Sequence, residues 1–350
     1  MTRVAFLIPG DIDSPTGGYR YCREMLARLP ASGIDVVHVR LPGTWPAPDT
    51  AAREATAALL AERPRGEILL IDGLAYGAFG TREIAAARGP VAALVHHPLA
   101  YETGLPKDRA EAFLASEREA LRHAVAVVAS SRETGRLLVE RFGVDAGDLS
   151  VAVPGVETAP PAGGSSAGSP RHLVTLGAVS PRKGYDILIE ALTRLSDLPW
   201  RATIAGSTSF APDLSARLRA RIANADLADR IAMPGALSEQ DIARLFDKAD
   251  LFVFPSRYEG YGMVVTEALA RGVPVLTTTG VPAALDFSPP AVRCVQPGDA
   301  GALAEALGSL LDRPGRLDEA RRAALSLRTG LPRWTDTAAT IAAALKRIAS

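Results

Sequence analysis

Two glutamates eight residues apart, Glu259 and Glu267, bracket a glycine loop in the run Pro255-Ser256-Arg257-Tyr258-Glu259-Gly260-Tyr261-Gly262-Met263-Val264-Val265-Thr266-Glu267. An ionised carboxylate only accepts hydrogen bonds, so it pairs well with vicinal hydroxyls. Gly260 and Gly262 let backbone pass close to a bound molecule, and a helix starting after them aims free N–H groups at an anion. The element before the loop is a buried strand, Leu251-Phe252-Val253-Phe254, which Pro255 ends because it has no N–H for the ladder. Val273-Pro274-Val275-Leu276 begins the next strand.

A second chemical segment is cationic. The strand 172–176 runs into Gly177-Ala178-Val179-Ser180-Pro181-Arg182-Lys183-Gly184, with a helix expected from Tyr185. The chain has 39 basic residues, of which only Lys107, Lys183, Lys248 and Lys346 are lysines. Lys183 therefore stands out: a compact ammonium binds phosphate as a point charge where a guanidinium fork does not fit. Nearer the start, Gly17-Gly18 follows the first strand, and paired glycines leading into a helix suit phosphate approach. Asp11 and Asp13 before them read as loop carboxylates. His96 and His97, two of five histidines, follow the strand 91–95 at its carboxyl end, where ligands of parallel sheets bind. No third and fourth metal ligands accompany them in sequence, and Cys22 and Cys294 lie in no metal-binding pattern, so no metal is expected.

These segments are positioned by alternating strands and helices. Strand-like runs fall at 4–8, 35–39, 68–71, 91–95, 126–129 and 149–153, then at 172–176, 201–205, 231–233, 251–254 and 273–277. Helical periodicity falls at 19–29, 50–62 and 110–123, then at 186–195, 213–223 and 239–248. The alternation predicts an α/β protein with doubly wound parallel sheets. Residues 158–170, built from Pro, Gly, Ala and Ser with one Thr, read as a flexible linker. The expected organisation is an N-terminal Rossmann-like domain 1–157, the linker 158–170, a second Rossmann-like domain 171–332 and a terminal helix 333–350.

Composition narrows the function classes. With 350 residues, two domains of ordinary size are the default. Zero net charge gives no basic field to recruit nucleic acid. The chain goes from Met1-Thr2-Arg3 directly into a strand, with no signal-peptide pattern and no apolar run of membrane-spanning length. A cytoplasmic protein is expected, with contact at a membrane surface left open.

The segment around Glu259 and Glu267 resembles the Glu-x7-Glu signature of the family-4 retaining glycosyltransferases of GT-B fold. The resemblance implies two Rossmann-like domains facing across a cleft, with acceptor binding in the first and donor binding in the second. It also implies a terminal helix crossing back to the first domain. The implied activity is metal-independent, cofactor-free hexosyl transfer from a UDP- or GDP-sugar to a hydroxyl acceptor, by a front-face route that keeps the anomeric configuration. Lys183, Glu259 and His96 take the catalytic roles. Gly17, Gly18, Arg182, Gly235, Leu237, Gly260, Tyr261, Gly262, Met263, Val264 and Glu267 would contact the donor, the base lying near residues 234–237. Tyr19, His97, Tyr101 and Glu102 are acceptor-side candidates. The family's Gly-Arg-x-x-x-x-Lys-Gly element is matched except that Ala178 replaces its Arg, which leaves open whether Arg182, next to Lys183, substitutes for it. A nucleotide-sugar epimerase, a phosphorylase or a non-catalytic nucleotide-sugar-binding protein is the alternative.

Overall fold

Short apolar runs bounded by turn residues form twelve parallel strands in this computed structural model, which describes residues 2–313 and 315–349. The first six are β1 (Thr2–Pro9), β2 (Ile34–Leu41), β3 (Ile68–Asp72), β4 (Val91–Val95), β5 (Ala126–Ala129) and β6 (Leu149–Val151). They form one sheet in the order β2-β1-β3-β4-β5-β6. The others are β7 (Arg171–Leu176), β8 (Trp200–Ala205), β9 (Ile231–Gly235), β10 (Leu251–Phe254), β11 (Val275–Thr278) and β12 (Val292–Val295). Their order is β12-β11-β10-β7-β8-β9.

Every residue of β3, β4, β5 and β10 is buried. Helices cover both faces of such strands, which is why these segments read as continuous apolar runs and not as alternation. In the first sheet Ala5, Leu7, Leu69, Ile71, Ala93 and Val127 face one shared core. In the second, Leu173, Val253, Leu276 and Ile204 pack with Trp200 and Leu188.

Each sheet reverses its winding at one place. The reversal falls between β1 and β3 in the first sheet and between β7 and β10 in the second. Ligands of open parallel sheets bind outside the carboxyl ends of the strands at such switch points. The glycine loop after β1 and the cationic and glutamate loops after β7 and β10 all lie at these positions.

The chain divides into two compact units, one comprising Met1–Gly155 with Pro332–Ser350 and the other Val156–Leu331. The terminal helix Trp334–Ala349 belongs to the first unit, where Trp334 meets the Tyr21 ring edge-on at 5.6 Å and Thr337 donates to the Val153 carbonyl at 2.7 Å. Residues 158–170 form no helix or strand, yet they are fastened to the second unit. The Ala162 amide donates to the Arg271 carbonyl at 2.8 Å and the Gly164 amide to the Asp247 carbonyl at 2.7 Å. Composition alone suggests a free tether here; backbone pairing gives this stretch a fixed seat. Among the described residues no helix is long and apolar enough to cross a membrane.

Candidate active site

In the second unit the loops after β7 and β10 are locked together. Gly184 sits at φ +65°, and a Cβ there would lie 2.2 Å from the Pro255 carbonyl oxygen. The Arg257 amide donates to the Arg182 carbonyl at 2.7 Å, and the Arg257 guanidinium grips both oxygens of Asp186 at 3.0 and 2.8 Å. Asp186 is near the start of the next helix, Tyr185–Thr193. The two loops thus form one platform at the switch point.

On that platform Lys183 and Arg182 converge on Glu259. Lys183 Nζ donates to Glu259 Oε1 at 2.8 Å, and Arg182 Nη1 lies 2.5 Å from Oε2 and donates to the Tyr258 carbonyl at 2.9 Å. The fully buried Ser256 hydroxyl donates to Oε1 at 2.5 Å. Lys183 also stands over the Phe254 ring, 4.7 Å from its centroid, a cation–π contact that holds the ammonium at the strand end. Burial alone would raise the Glu259 carboxyl. The Lys183 and Arg182 charges and the hydrogen bonds from Lys183 and Ser256 outweigh it and hold the pKa down at about 2.

The helix Met263–Ala270 starts immediately after Gly262, whose φ of +98° sets the turn. A Cβ at Gly262 would come 2.4 Å from Val281 Cγ1, so the loop needs glycine for space as well as conformation. Met263 and Val264 open this helix, and Glu267 is its fifth residue, half-buried. Tyr261 is buried, with its carbonyl accepting from the Ala283 amide at 2.8 Å, so it fixes the loop from beneath. Gly235 ends β9 and half-buried Leu237 follows it, two strands from β7.

In the first unit Gly17 and Gly18 form the first turn of the helix Gly17–Arg28 instead of preceding it, because the Thr16 side chain accepts from the Tyr19 amide and caps a helix that starts two residues before Tyr19. Gly18 lies against His96, where a Cβ would meet the ring carbon Cδ2 at 3.5 Å. The Tyr21 ring meets His96 edge-on at 4.9 Å, and the Ser130 hydroxyl donates to the His96 carbonyl at 3.0 Å. His96 Nε2 lies 3.6 Å from Asp72 Oδ2 and 3.8 Å from Cys22 Sγ. Burial, then the Asp72 charge, push the Cys22 thiol well above its usual range. His97 Nε2 is 3.6 Å from Glu102 Oε2, so these two acceptor-side candidates are neighbours. Tyr101 packs against Phe142 at 6.1 Å, while burial and the Asp72 charge push the Tyr19 phenol up.

Four residues carry more of these sites than their sequence context suggests. Ser256 fixes Glu259, and Asp72 and Cys22 back His96. Buried Glu117 accepts from the Leu99 and Ala100 amides at 2.7 and 3.0 Å, holding the turn that bears Tyr101. Ser256 belongs to the quoted run around Glu259, so its role was within reach; the other three are isolated polar residues with no sequence pattern around them.

Residues 162–326 match the family model described as "Glycosyl transferases group 1". D-inositol 3-phosphate glycosyltransferase of Pseudarthrobacter chlorophenolicus is 30% identical over 232 residues, covering 62% of this chain and 54% of that one. The chain spans about half or less of the length of the first curated relatives it matches. Sucrose-phosphate synthase of Thermosynechococcus elongatus superposes with a TM-score of 0.80 at 19% identity, covering 99% of both chains. HepE of Anabaena, in a crystal structure with UDP and glucose, superposes with a TM-score of 0.76 at 17% identity, covering 99% of this chain and 100% of its own. The two parallel sheets thus build the GT-B fold, and residues 162–326 of the second unit resemble the group 1 glycosyl transferase domain.

Proposed function

We propose that the protein is a retaining glycosyltransferase that moves a hexosyl group from a UDP- or GDP-sugar to a hydroxyl of a small soluble acceptor, without a metal ion in the transfer step. The observation that carries this reading is the convergence of Lys183 and Arg182 on Glu259 at the β7/β10 switch point, beside the amide-bearing start of the helix Met263–Ala270. Cations and free N–H groups at one place suit a diphosphate, and a carboxylate among them suits sugar hydroxyls. HepE, of the same fold, holds UDP-glucose in one of its crystal structures, which supports a nucleotide-sugar donor. The free thiols of Cys22 and Cys294 suit a reducing, cytoplasmic setting.

In this reading the bond between the sugar C1 and the diphosphate oxygen breaks as the acceptor oxygen bonds to C1 on the same face. The acceptor hydroxyl proton passes to the leaving phosphate oxygen. Negative charge grows on the diphosphate, and Lys183 and Arg182 stabilise it; fixed charges aimed at developing charge are usually the largest catalytic contribution. Glu259 is held ionised and half-neutralises both cations before donor arrives. When diphosphate enters, the cations are shared between two anions and the carboxylate is released toward the sugar hydroxyls. Glu267 accepts from the ribose, and His96 keeps the donor-sugar role that the family resemblance gives it.

The test is nucleotide release from UDP- and GDP-sugars with a panel of hydroxyl acceptors, with product configuration read by NMR. Acceptor-dependent release with unchanged anomeric configuration is expected, and Lys183→Ala should lower kcat by roughly 100- to 1,000-fold. Folded protein that binds nucleotide but gives no acceptor-dependent release would reduce the reading to a binding protein. An inverted product would remove the retaining assignment.

A further inference from the structure

The switch point of the first sheet gathers three metal-ligating side chains from three elements. Cys22 lies on the helix after β1, Asp72 is the last residue of β3, and His96 directly follows β4. Their ligand atoms face a common point: Cys22 Sγ is 3.4 Å from Asp72 Oδ2 and 3.8 Å from His96 Nε2, and Nε2 is 3.6 Å from Oδ2. A triangle with these edges has its centre about 2.1 Å from each atom, within the range of about 2.0 to 2.3 Å for zinc bonds to oxygen, nitrogen and sulfur.

We propose that Cys22 Sγ, Asp72 Oδ2 and His96 Nε2 form a three-ligand site for a divalent transition-metal ion of the zinc type, separate from the transfer step, with Nε2 available to a donor sugar only when the ion is absent. Each ligand is already oriented. Asp72 Oδ1 accepts from the Leu74 amide at 2.8 Å, which leaves Oδ2 for the cluster. The Tyr21 edge packs against the His96 ring, and the Ser130 hydroxyl holds the main-chain carbonyl of His96. Such outer contacts typify metal sites, because they set ring and carboxylate orientation before binding. Cys22 is fully buried, whereas the His96 side chain is 21% exposed, so the ion enters from that side. A thiolate, an imidazole and a carboxylate together favour zinc or cobalt over magnesium or calcium, which take oxygen ligands. Binding displaces the Cys22 S–H proton to solvent, and the ion takes its place against Sγ. Sites with three protein ligands leave a coordination position for water or another small ligand, unlike closed four-ligand structural sites.

The experiment is cobalt titration of the whole chain, followed by optical absorption, with zinc as competitor. No nucleotide sugar is present, so its outcome is separate from that of the transfer assay. A Cys294→Ser background removes the other thiol. One cobalt per chain with a thiolate-to-cobalt charge-transfer band is expected, bleached by zinc. Cys22→Ser should abolish the band. Asp72→Asn and His96→Gln, each shown folded by circular dichroism, should weaken affinity roughly tenfold or more. Absence of the band in folded Cys294→Ser protein overturns the site, as does unchanged affinity in either the Asp72→Asn or the His96→Gln variant.

Discussion

Glu259 is a buried carboxylate with two cations against it, and that pairing makes it a pH-dependent contributor to stability. Its folded pKa of about 2 lies below the ordinary 4.5, so its contribution is complete above about pH 4.5 and is lost as pH falls toward 2. Urea denaturation across that window should show stability falling with acidification, and the Glu259→Gln variant should lack this component. Near neutral pH the same variant leaves Lys183 and Arg182 facing a neutral amide. A loss of about 3 kcal/mol is expected, at the lower end for a broken buried pair because Arg182 is a quarter exposed. An unchanged urea midpoint would mean that solvent already screens the cations. Glu259 and Lys183 were legible in the sequence because each sits in a local run with proline and glycine around it. Their mutual contact was not, since they are 76 residues apart and the contact depends on β7 and β10 being neighbours. The same limit hid the Cys22, Asp72 and His96 cluster, whose members are 50 and 74 residues from Cys22. Spacing rules for metal ligands recognise sites within one loop or helix, not sites assembled from a helix and the ends of two strands.

At the scale of elements, the turn into the helix Met263–Ala270 depends on one residue. Gly262→Ala would place a Cβ at φ +98° and against Val281, and a loss of about 2 kcal/mol or more is expected from backbone strain and displacement together. Thermal melting measures it, and a wild-type melting temperature would show that the loop relaxes freely. In the first unit, Glu117 pins the turn after β4 from the helix Lys107–Leu121. Burial raises its pKa to about 7, although the Leu99 and Ala100 amides pull it down. A folded pKa above the unfolded one means this group's contribution is full below about pH 4.5 and declines as pH rises through about 7. Glu117→Gln should flatten the fall in stability over that interval, and a slope identical to wild type would count against the assignment. The positions of β1 to β11 were legible because apolar runs in a parallel sheet need no partner to be recognised. β12 escaped notice: Val292-Arg293-Cys294-Val295 is an edge strand, three of whose four residues are only half-buried, so polar character interrupts the run.

At the scale of the whole molecule, the second unit is a continuous stretch, Val156–Leu331, whereas the first is closed by residues from both ends of the chain. A fragment 156–331 should therefore fold alone, and by the proposed function it should bind UDP or GDP. Calorimetry on the fragment checks this, and a folded fragment that binds neither would count against the donor assignment. Removing residues 334–349 should lower the melting temperature of the first unit by stripping the Trp334 ring from Tyr21, while leaving the other unit intact. The division into two Rossmann-like halves was readable from the strand pattern. The fastening of residues 158–170 was not, because it rests on backbone hydrogen bonds that any sequence could make. The return of the last helix also sets an order of events during synthesis. The ribosome makes the first sheet first, yet its last sixteen-residue helix emerges only after all of the second unit. The half begun earliest is thus finished latest, and during that interval its uncovered apolar face is the part of the nascent chain most in need of a chaperone.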